Sequence, residues 1–305
     1  MKHWSEICTL SLVHFMAFPE LQKGEGNFLS TIHQLAQRGF YGALELGMIN
    51  DGSERAAVAQ AVQEYGFHVG FGAQPIILGQ NLNLNDLDPH LRETAVKTLG
   101  CYIDMAAELG AESFVILSGK DPGDELRQQA YQACSDSIIA LGKYAEQYGM
   151  RIVLETFDRE VDKKALVGPS DEAAGFADKI KQDYPRFGLL YDMGHMPLLE
   201  EQPYPALSLL HDHLAEVHLG NCVKTPGSPV FGDKHPRFGY SGGVNDTQEL
   251  LIFIKALFES GYLDDNSPNG ELPWLGFEVR PHQGETSQQI LDNIQTTWTD
   301  AWAQL

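Results

Sequence analysis

At 305 residues, 43% of them hydrophobic, the chain can bury one large core or two small ones. It carries 21 Lys plus Arg against 42 Asp plus Glu, a formal net charge of −21. That balance argues against a phosphate-binding surface and so against nucleic acid as partner, because affinity for a polyanion comes from Lys and Arg displacing counterions. A small molecule is the better expectation. The four cysteines, Cys8, Cys101, Cys134 and Cys222, form no CxxC pair, and a chain this long needs no disulfide staples. The N-terminal apolar stretch is interrupted by Glu6 and His14, and no small-residue cleavage site follows it. No run approaches the ~18 apolar residues of a membrane span, so the expected location is cytoplasmic.

Strand and helix alternate from the start. Ile7 to His14 reads as a strand, and Phe28 to Arg38 as a helix closed by Gly39. Tyr41 to Leu46 is the second strand, with a helix from Ser53 to Tyr65 ending at Gly66, and Phe67 to Phe71 is the third. A long loop leads to Asp88-Pro89, a helix start with Pro in the first turn. That helix runs to Leu109, the fourth strand covers Ser113 to Leu117, and a helix extends from Asp124 to Tyr148. Strand Arg151 to Thr156 is followed by a helix from Asp171 to Tyr184 with Ser170 as N-cap, then by strand Phe187 to Tyr191. A helix from Pro205 to His213 precedes strand Ala215 to Leu219 and a long loop from Gly220 to Asn245. Helix Thr247 to Ser260, strand Trp274 to Val279 and a last helix from near Thr286 complete the chain.

Strands alternating with helices imply parallel pairing through crossovers, and eight such units are what a closed (β/α)8 barrel requires. An open doubly wound sheet would place a Gly-rich phosphate loop after the first strand. The segment there, HFMAFPELQKGEGN, has no GxGxxG. The expected fold is therefore α/β, a single TIM barrel domain spanning residues 1–305.

In such a barrel every strand's C-terminal end opens on one face, where active sites sit. The fifth to eighth strands bring Glu155, Asp192, His218 and Glu278 to that face. Three carboxylates and one imidazole suit a divalent ion with open positions for substrate oxygens, and without a cation the carboxylates would repel one another. Taken singly, each has a plainer reading: a strand-end salt bridge for a glutamate, a turn for the Asp-Met-Gly of residues 192–194, a structural histidine for His218.

Four segments, LETFDRE at Glu155, YDMGH at Asp192, EVHLGN at His218 and GFEVRP at Glu278, give the chain a resemblance to the xylose-isomerase-like barrels. That sugar isomerase and epimerase superfamily includes ketose 3-epimerases, hydroxypyruvate isomerases, inosose dehydratase and dehydroshikimate dehydratase. The resemblance implies one divalent metal, Mn2+, Mg2+, Co2+ or Zn2+, on those four residues, with His195 against a substrate hydroxyl. It implies Glu155 and Glu278 as a proton-transferring pair, and a homodimer or homotetramer. The expected activity is metal-dependent sugar isomerisation or epimerisation through an enediolate. A dehydratase or lyase acting on a keto-sugar or cyclitol in the same site is the alternative. Abasic-site endonucleases share the resemblance, but the net charge speaks against them. A non-catalytic sugar-binding barrel would lack the metal.

Other residues are candidates for the rim. Glu45 and His14 end the second and first strands, although His14 can equally be a core histidine. Asp158, Arg159 and Glu160 follow the fifth strand and read either as a polar rim or as a solvated cluster. Lys224 stands where the resembled epimerases carry a substrate-contacting arginine, and it lacks the guanidinium fork. Lys234, His235 and Arg237, in the Gly- and Pro-rich loop, are candidates to meet an anionic or keto group, or simply to pair with surplus acid. Arg280 and His282, just past Glu278, are further substrate-binding candidates, and Cys222 is given no role.

Overall fold

A computed structural model describes residues 2–264 and 272–305. Its strands are β1 (Thr9–Val13), β2 (Ala43–Leu46), β3 (His68–Gly72), β4 (Ser113–Leu117), β5 (Arg151–Glu155), β6 (Gly188–Asp192), β7 (Leu214–Gly220) and β8 (Trp274–Glu278). They pair in parallel in chain order and close through β1 and β8, where Leu10 faces Leu275 and Leu12 faces Phe277. The main helices are α1 (Phe28–Arg38), α2 (Gly52–Tyr65), α3 (Pro89–Glu108), α4 (Asp124–Ala145), α5 (Ser170–Asp183), α6 (Pro203–Leu210), α7 (Thr247–Glu259) and α8 (Ser287–Trp302). The (β/α)8 expectation holds along the whole described chain.

Local chemistry sets the helix ends. Asn27 accepts from the Ser30 amide at the start of α1, Asp51 from Ser53 and Glu54 at α2, and Asp88 from His90 at α3. At α8, Thr286 and Gln289 form a reciprocal capping box. Gly39 and Gly66 end their helices in the left-handed conformation, at φ 60° and 71°. Ser170 is not the N-cap expected of it. It is the first residue of α5, and its amide and hydroxyl both donate to Glu201.

Side chains alternate between the two sides of each strand. One set, including Leu44, Phe71, Phe114, Ile152, Leu189, Val217 and Phe277, joins the helices in one continuous buried cluster. Val115, Val153 and Leu190 form a separate small cluster on the other side. Ser11, Glu45, Ser113 and Glu216 are also buried within strands, so this barrel carries ionisable groups well below its mouth.

Two short helices were not foreseen. Residues 14–17 turn into a helix directly after β1, and Gln74–Gly79 forms another in the loop after β3. Each changes which side chain reaches the mouth.

Candidate metal and proton-transfer site

Glu155, Asp192 and Glu278 each end a strand, and His218 is level with Asp192 in the β6–β7 register. One ligand atom from each of the four lies within 4.8 Å of all the others. Space for the imidazole comes from Gly276 on β8, where an added Cβ would stand 2.8 Å from His218 Cδ2. Glu155 is 1% exposed and Asp192 0%, yet Glu155 Oε1 and Asp192 Oδ2 have no hydrogen-bond partner. A buried carboxylate oxygen without a donor is costly. Two in one cluster of acids, beside an imidazole, form a donor set that fits a hard-to-borderline divalent cation.

Neighbours fix the remaining atoms. Gln74 Nε2 donates to Glu155 Oε2 at 2.8 Å, and the Gly194 amide donates to Asp192 Oδ1. His218 is held at both nitrogens, with Nδ1 2.9 Å from Glu278 Oε2 and Nε2 3.0 Å from Glu45 Oε2. Burial, reinforced by Glu278, pushes the Glu155 carboxyl up to about 8. Glu278 goes the other way: burial opposes its ionisation, but His235 and His218 draw it down to about 2. The two carboxyls thus sit in environments that separate their proton affinities.

A second set of ligand atoms, from Asp192, His195 and His235, also lies within 4.8 Å and shares Asp192 with the first. His195 Nδ1 donates to the Thr156 carbonyl at 2.9 Å, which leaves Nε2 facing Asp233 Oδ1 at 3.0 Å. Asp233 also pairs with His235 Nε2 and, at 2.5 Å, with Lys163 Nζ. Burial lowers the affinity of both imidazoles for a proton, but Asp233 outweighs it and raises both. His235 adopts φ 50°, a left-handed backbone that non-glycine residues seldom take, and it fits because Gly220 beside it has no Cβ.

The cavity above these groups measures about 240 Å3. Glu155, Glu278, Asp233 and His235 line it along with Phe15, Met16, Phe157 and the cations Lys163, Lys234 and Arg280. A larger cavity of about 520 Å3 lies at the opposite end of the barrel, among Thr9, His68, Arg151 and Trp274. It contains none of the clustered groups.

The structure moves several expected rim residues elsewhere. Glu45 does not line the cavity; it lies beneath His218 as its hydrogen-bond partner. His14 is fully buried between Phe18 and Phe28, with ring centroids 5.0 and 5.8 Å away, because the chain turns helical at that residue. Lys224 is exposed and outside the cavity lining. Arg237 also stays outside, pairing with Glu285 at 2.9 Å. Arg159 binds Glu172 and the Leu166 carbonyl, Glu160 is exposed and Cys222 is buried. Asp158 accepts from the amides of Val161, Asp162 and Lys163, a staple that aims Lys163 at the site.

Gln74, Lys163 and Asp233 were not anticipated. Gln74 depends on a short helix with no clear pattern, and Lys163 on the Asp158 turn. Asp233 did have a signal, its spacing of two from His235 in the same loop.

His14 permits a pH prediction. Thr31 Oγ1 donates to the Phe28 carbonyl, so it accepts from His14 Nε2 at 2.7 Å and Nδ1 stays bare and unpartnered. Burial lowers this imidazole to about 3, below its unfolded value of 6.5. The folded state therefore excludes a proton that the unfolded chain takes up, so stability is full above pH 6.5 and is lost as pH falls toward 3. Compared with His14→Phe, the wild type should lose about 1.4 kcal/mol per pH unit below 6.5. Denaturant midpoints of the two proteins between pH 7 and 4 will check this, and parallel profiles would contradict it.

Comparison with solved structures shows the same fold at low identity. A D-psicose 3-epimerase with D-tagatose from Clostridium cellulolyticum H10 is 16% identical at a TM-score of 0.63, covering 97% of this chain and 96% of that one. An IOLI protein with a bound zinc atom is 15% identical at 0.70, with coverages of 96% and 97%. A 3-keto-D-glucoside 4-epimerase from E. coli is 17% identical at 0.62, covering 90% and 95%. No curated protein matches the sequence significantly. The family model described as xylose isomerase-like TIM barrel matches residues 23–265, most of the chain and the strands that supply Glu155, Asp192 and His218, and the protein belongs to that family.

Proposed function

We propose that the protein is a divalent-metal-dependent isomerase or epimerase of a small keto-sugar, with Glu155, Asp192, His218 and Glu278 as ligands. The observation that carries this reading is the pair of buried oxygens without a hydrogen-bond donor, Glu155 Oε1 and Asp192 Oδ2, inside a four-residue cluster of candidate ligands. Structures named as 3-epimerases, and the zinc held by the IOLI protein, support it. A bound cation would polarise a substrate carbonyl and stabilise negative charge on adjacent oxygens, an effect worth several kcal/mol.

The chain's own groups move the proton. Glu278, held ionised, is placed to take one at Oε1, since Oε2 is committed to His218. Glu155, whose Oε2 is anchored on Gln74 and whose proton affinity burial raises while no cation is bound, is placed to return one. Phe157, tilted against His195 at 4.3 Å between ring centroids, together with Phe15 and Met16, gives this exchange an apolar wall. His195 is fixed at Nδ1 by Thr156 and at Nε2 by Asp233, so it would meet a substrate hydroxyl only by giving up the Asp233 bond.

Purified protein should contain at least one divalent ion per chain and should wash deuterium from solvent into a ketose. Absence of both the ion and the exchange across a panel of ketoses and inososes would sink this reading.

Glu45 has a positioning role in this scheme. By accepting from His218 Nε2 it fixes the ring's orientation, with Nδ1 turned toward Glu278 and the ligand cluster. Glu45→Ala should weaken metal affinity by about 10- to 100-fold, as measured against a competing chromophoric chelator, whereas Glu45→Gln should retain most of it. Equal affinity in all three proteins would deny the role.

A further inference from the structure

We propose that the substrate held at this site carries an anionic group, a carboxylate or a phosphate, and that Arg280 receives it. Three cations line the cavity, Lys163, Lys234 and Arg280. Lys163 is committed to Asp233 at 2.5 Å and Asp162 at 3.6 Å, and Lys234 lies 3.3 Å from Asp162. Among the described residues Arg280 has no ion pair. Its side chain makes one hydrogen bond, from Nη1 to the neutral Gln22 Oε1 at 3.1 Å. In a chain with 42 acidic residues against 21 basic ones, a half-buried guanidinium that meets no carboxylate is unexpected. Most of its five donors remain unspent at the cavity wall, in the planar fork that matches carboxylate and phosphate oxygens.

The placement is rigid and has a direction. The Arg280 amide donates to the His235 carbonyl at 2.7 Å, which ties this segment to the loop that forms the site. Arg280 follows Glu278 by two residues, and both line the same cavity. Same-side neighbours in extended chain stand about 7 Å apart, comparable with the length of a sugar carbon chain. With the carbonyl end taken by the proposed metal site at Glu155 and Glu278, the acid end is left to extend along the cavity to Arg280. The lining residues Phe15, Met16 and Leu78 offer no polar partner. The choice of reacting end rests on the isomerase reading above; recognition of the anion does not.

The test is calorimetric binding of matched probes to the purified protein with its metal. D-fructose is compared with D-fructuronate and D-fructose 6-phosphate, and D-tagatose with D-tagaturonate. In at least one set the anion should bind about 10- to 100-fold more tightly, the range expected of hydrogen bonds to a charged group. The carboxylate and phosphate arms tell which anion is meant. Arg280→Gln should erase the preference by weakening the anion far more than the neutral sugar, while Arg280→Lys should keep part of it. No anion preference in any set overturns the proposal, as does a preference that survives Arg280→Gln or an equal loss for neutral and acidic probes. Solvent exchange separates the two readings. Exchange without anion preference retires the role of Arg280 alone, and anion preference without exchange on any probe retires the isomerase alone.

Discussion

Glu155→Gln is expected to abolish net conversion of substrate, with a fall of at least about 10³-fold, since positioned acid–base groups contribute 10²- to 10⁴-fold and this residue is also a proposed ligand. The substitution is close to isosteric, and its carbonyl can still accept the 2.8 Å hydrogen bond from Gln74. What disappears is the carboxyl's ability to carry a proton and the charge it offers to a cation. Because burial raises the proton affinity of Glu155 while His235 and His218 lower that of Glu278 in the metal-free site, the two carboxyls are not equivalent. Glu278→Gln should block removal of the substrate proton, whereas Glu155→Gln should block its return. In a single-turnover experiment with carbon-bound tritium, proteins with metal restored should differ accordingly. Glu155→Gln should still release some label to water, and Glu278→Gln none. Unchanged conversion in Glu155→Gln would remove this residue from the chemistry.

The sequence makes the barrel legible because two periodicities alternate and glycines such as Gly39 and Gly66 punctuate them. It makes the ligand cluster legible for a geometric reason. In a parallel barrel every strand's C-terminal end shares one face, so polar residues closing four consecutive apolar runs must meet. That logic reaches only as far as the strand. Glu45 lies in β2, one residue before its end, and the barrel's stagger sets it under His218 rather than at the rim. His14 follows an apolar run just as Asp192 does, but the backbone coils immediately after Val13 and carries its ring into the core. Of the residues placed by irregular backbone, the sequence singled out His235 but not Lys163 or Asp233. Lys163 enters the site through three amide bonds to Asp158, and Asp233 and His235 through a loop turn at φ 50°. Neither has a period to read. Lys224 was assigned by resemblance alone, and in that exposed position the structure gives it no contact with the cavity.

Asp192→Asn should change stability in opposite directions with and without a cation, which separates a metal ligand from a turn residue. Asp192 performs a turn function through Oδ1, which accepts from the Gly194 amide, and an Asn carbonyl can take that over. Oδ2 is different: it is buried, has no hydrogen-bond partner and shares its cluster with Glu155 and Glu278. With chelator present, removing this charge relieves repulsion among buried carboxylates, so the variant should melt at or above the wild-type temperature. With excess Mn2+ the wild type gains the linkage free energy of binding, about 2.7 kcal/mol at a hundred times Kd, and the variant loses most of it. For a domain of this size that gap corresponds to a melting difference of about 5 °C or more. Four melting curves, two proteins each with EDTA or Mn2+, are sufficient. A turn residue would shift both pairs equally. A ligand reverses their order, and the reversal should disappear when Mn2+ is replaced by a cation too large for a cluster whose donors lie within 4.8 Å of one another.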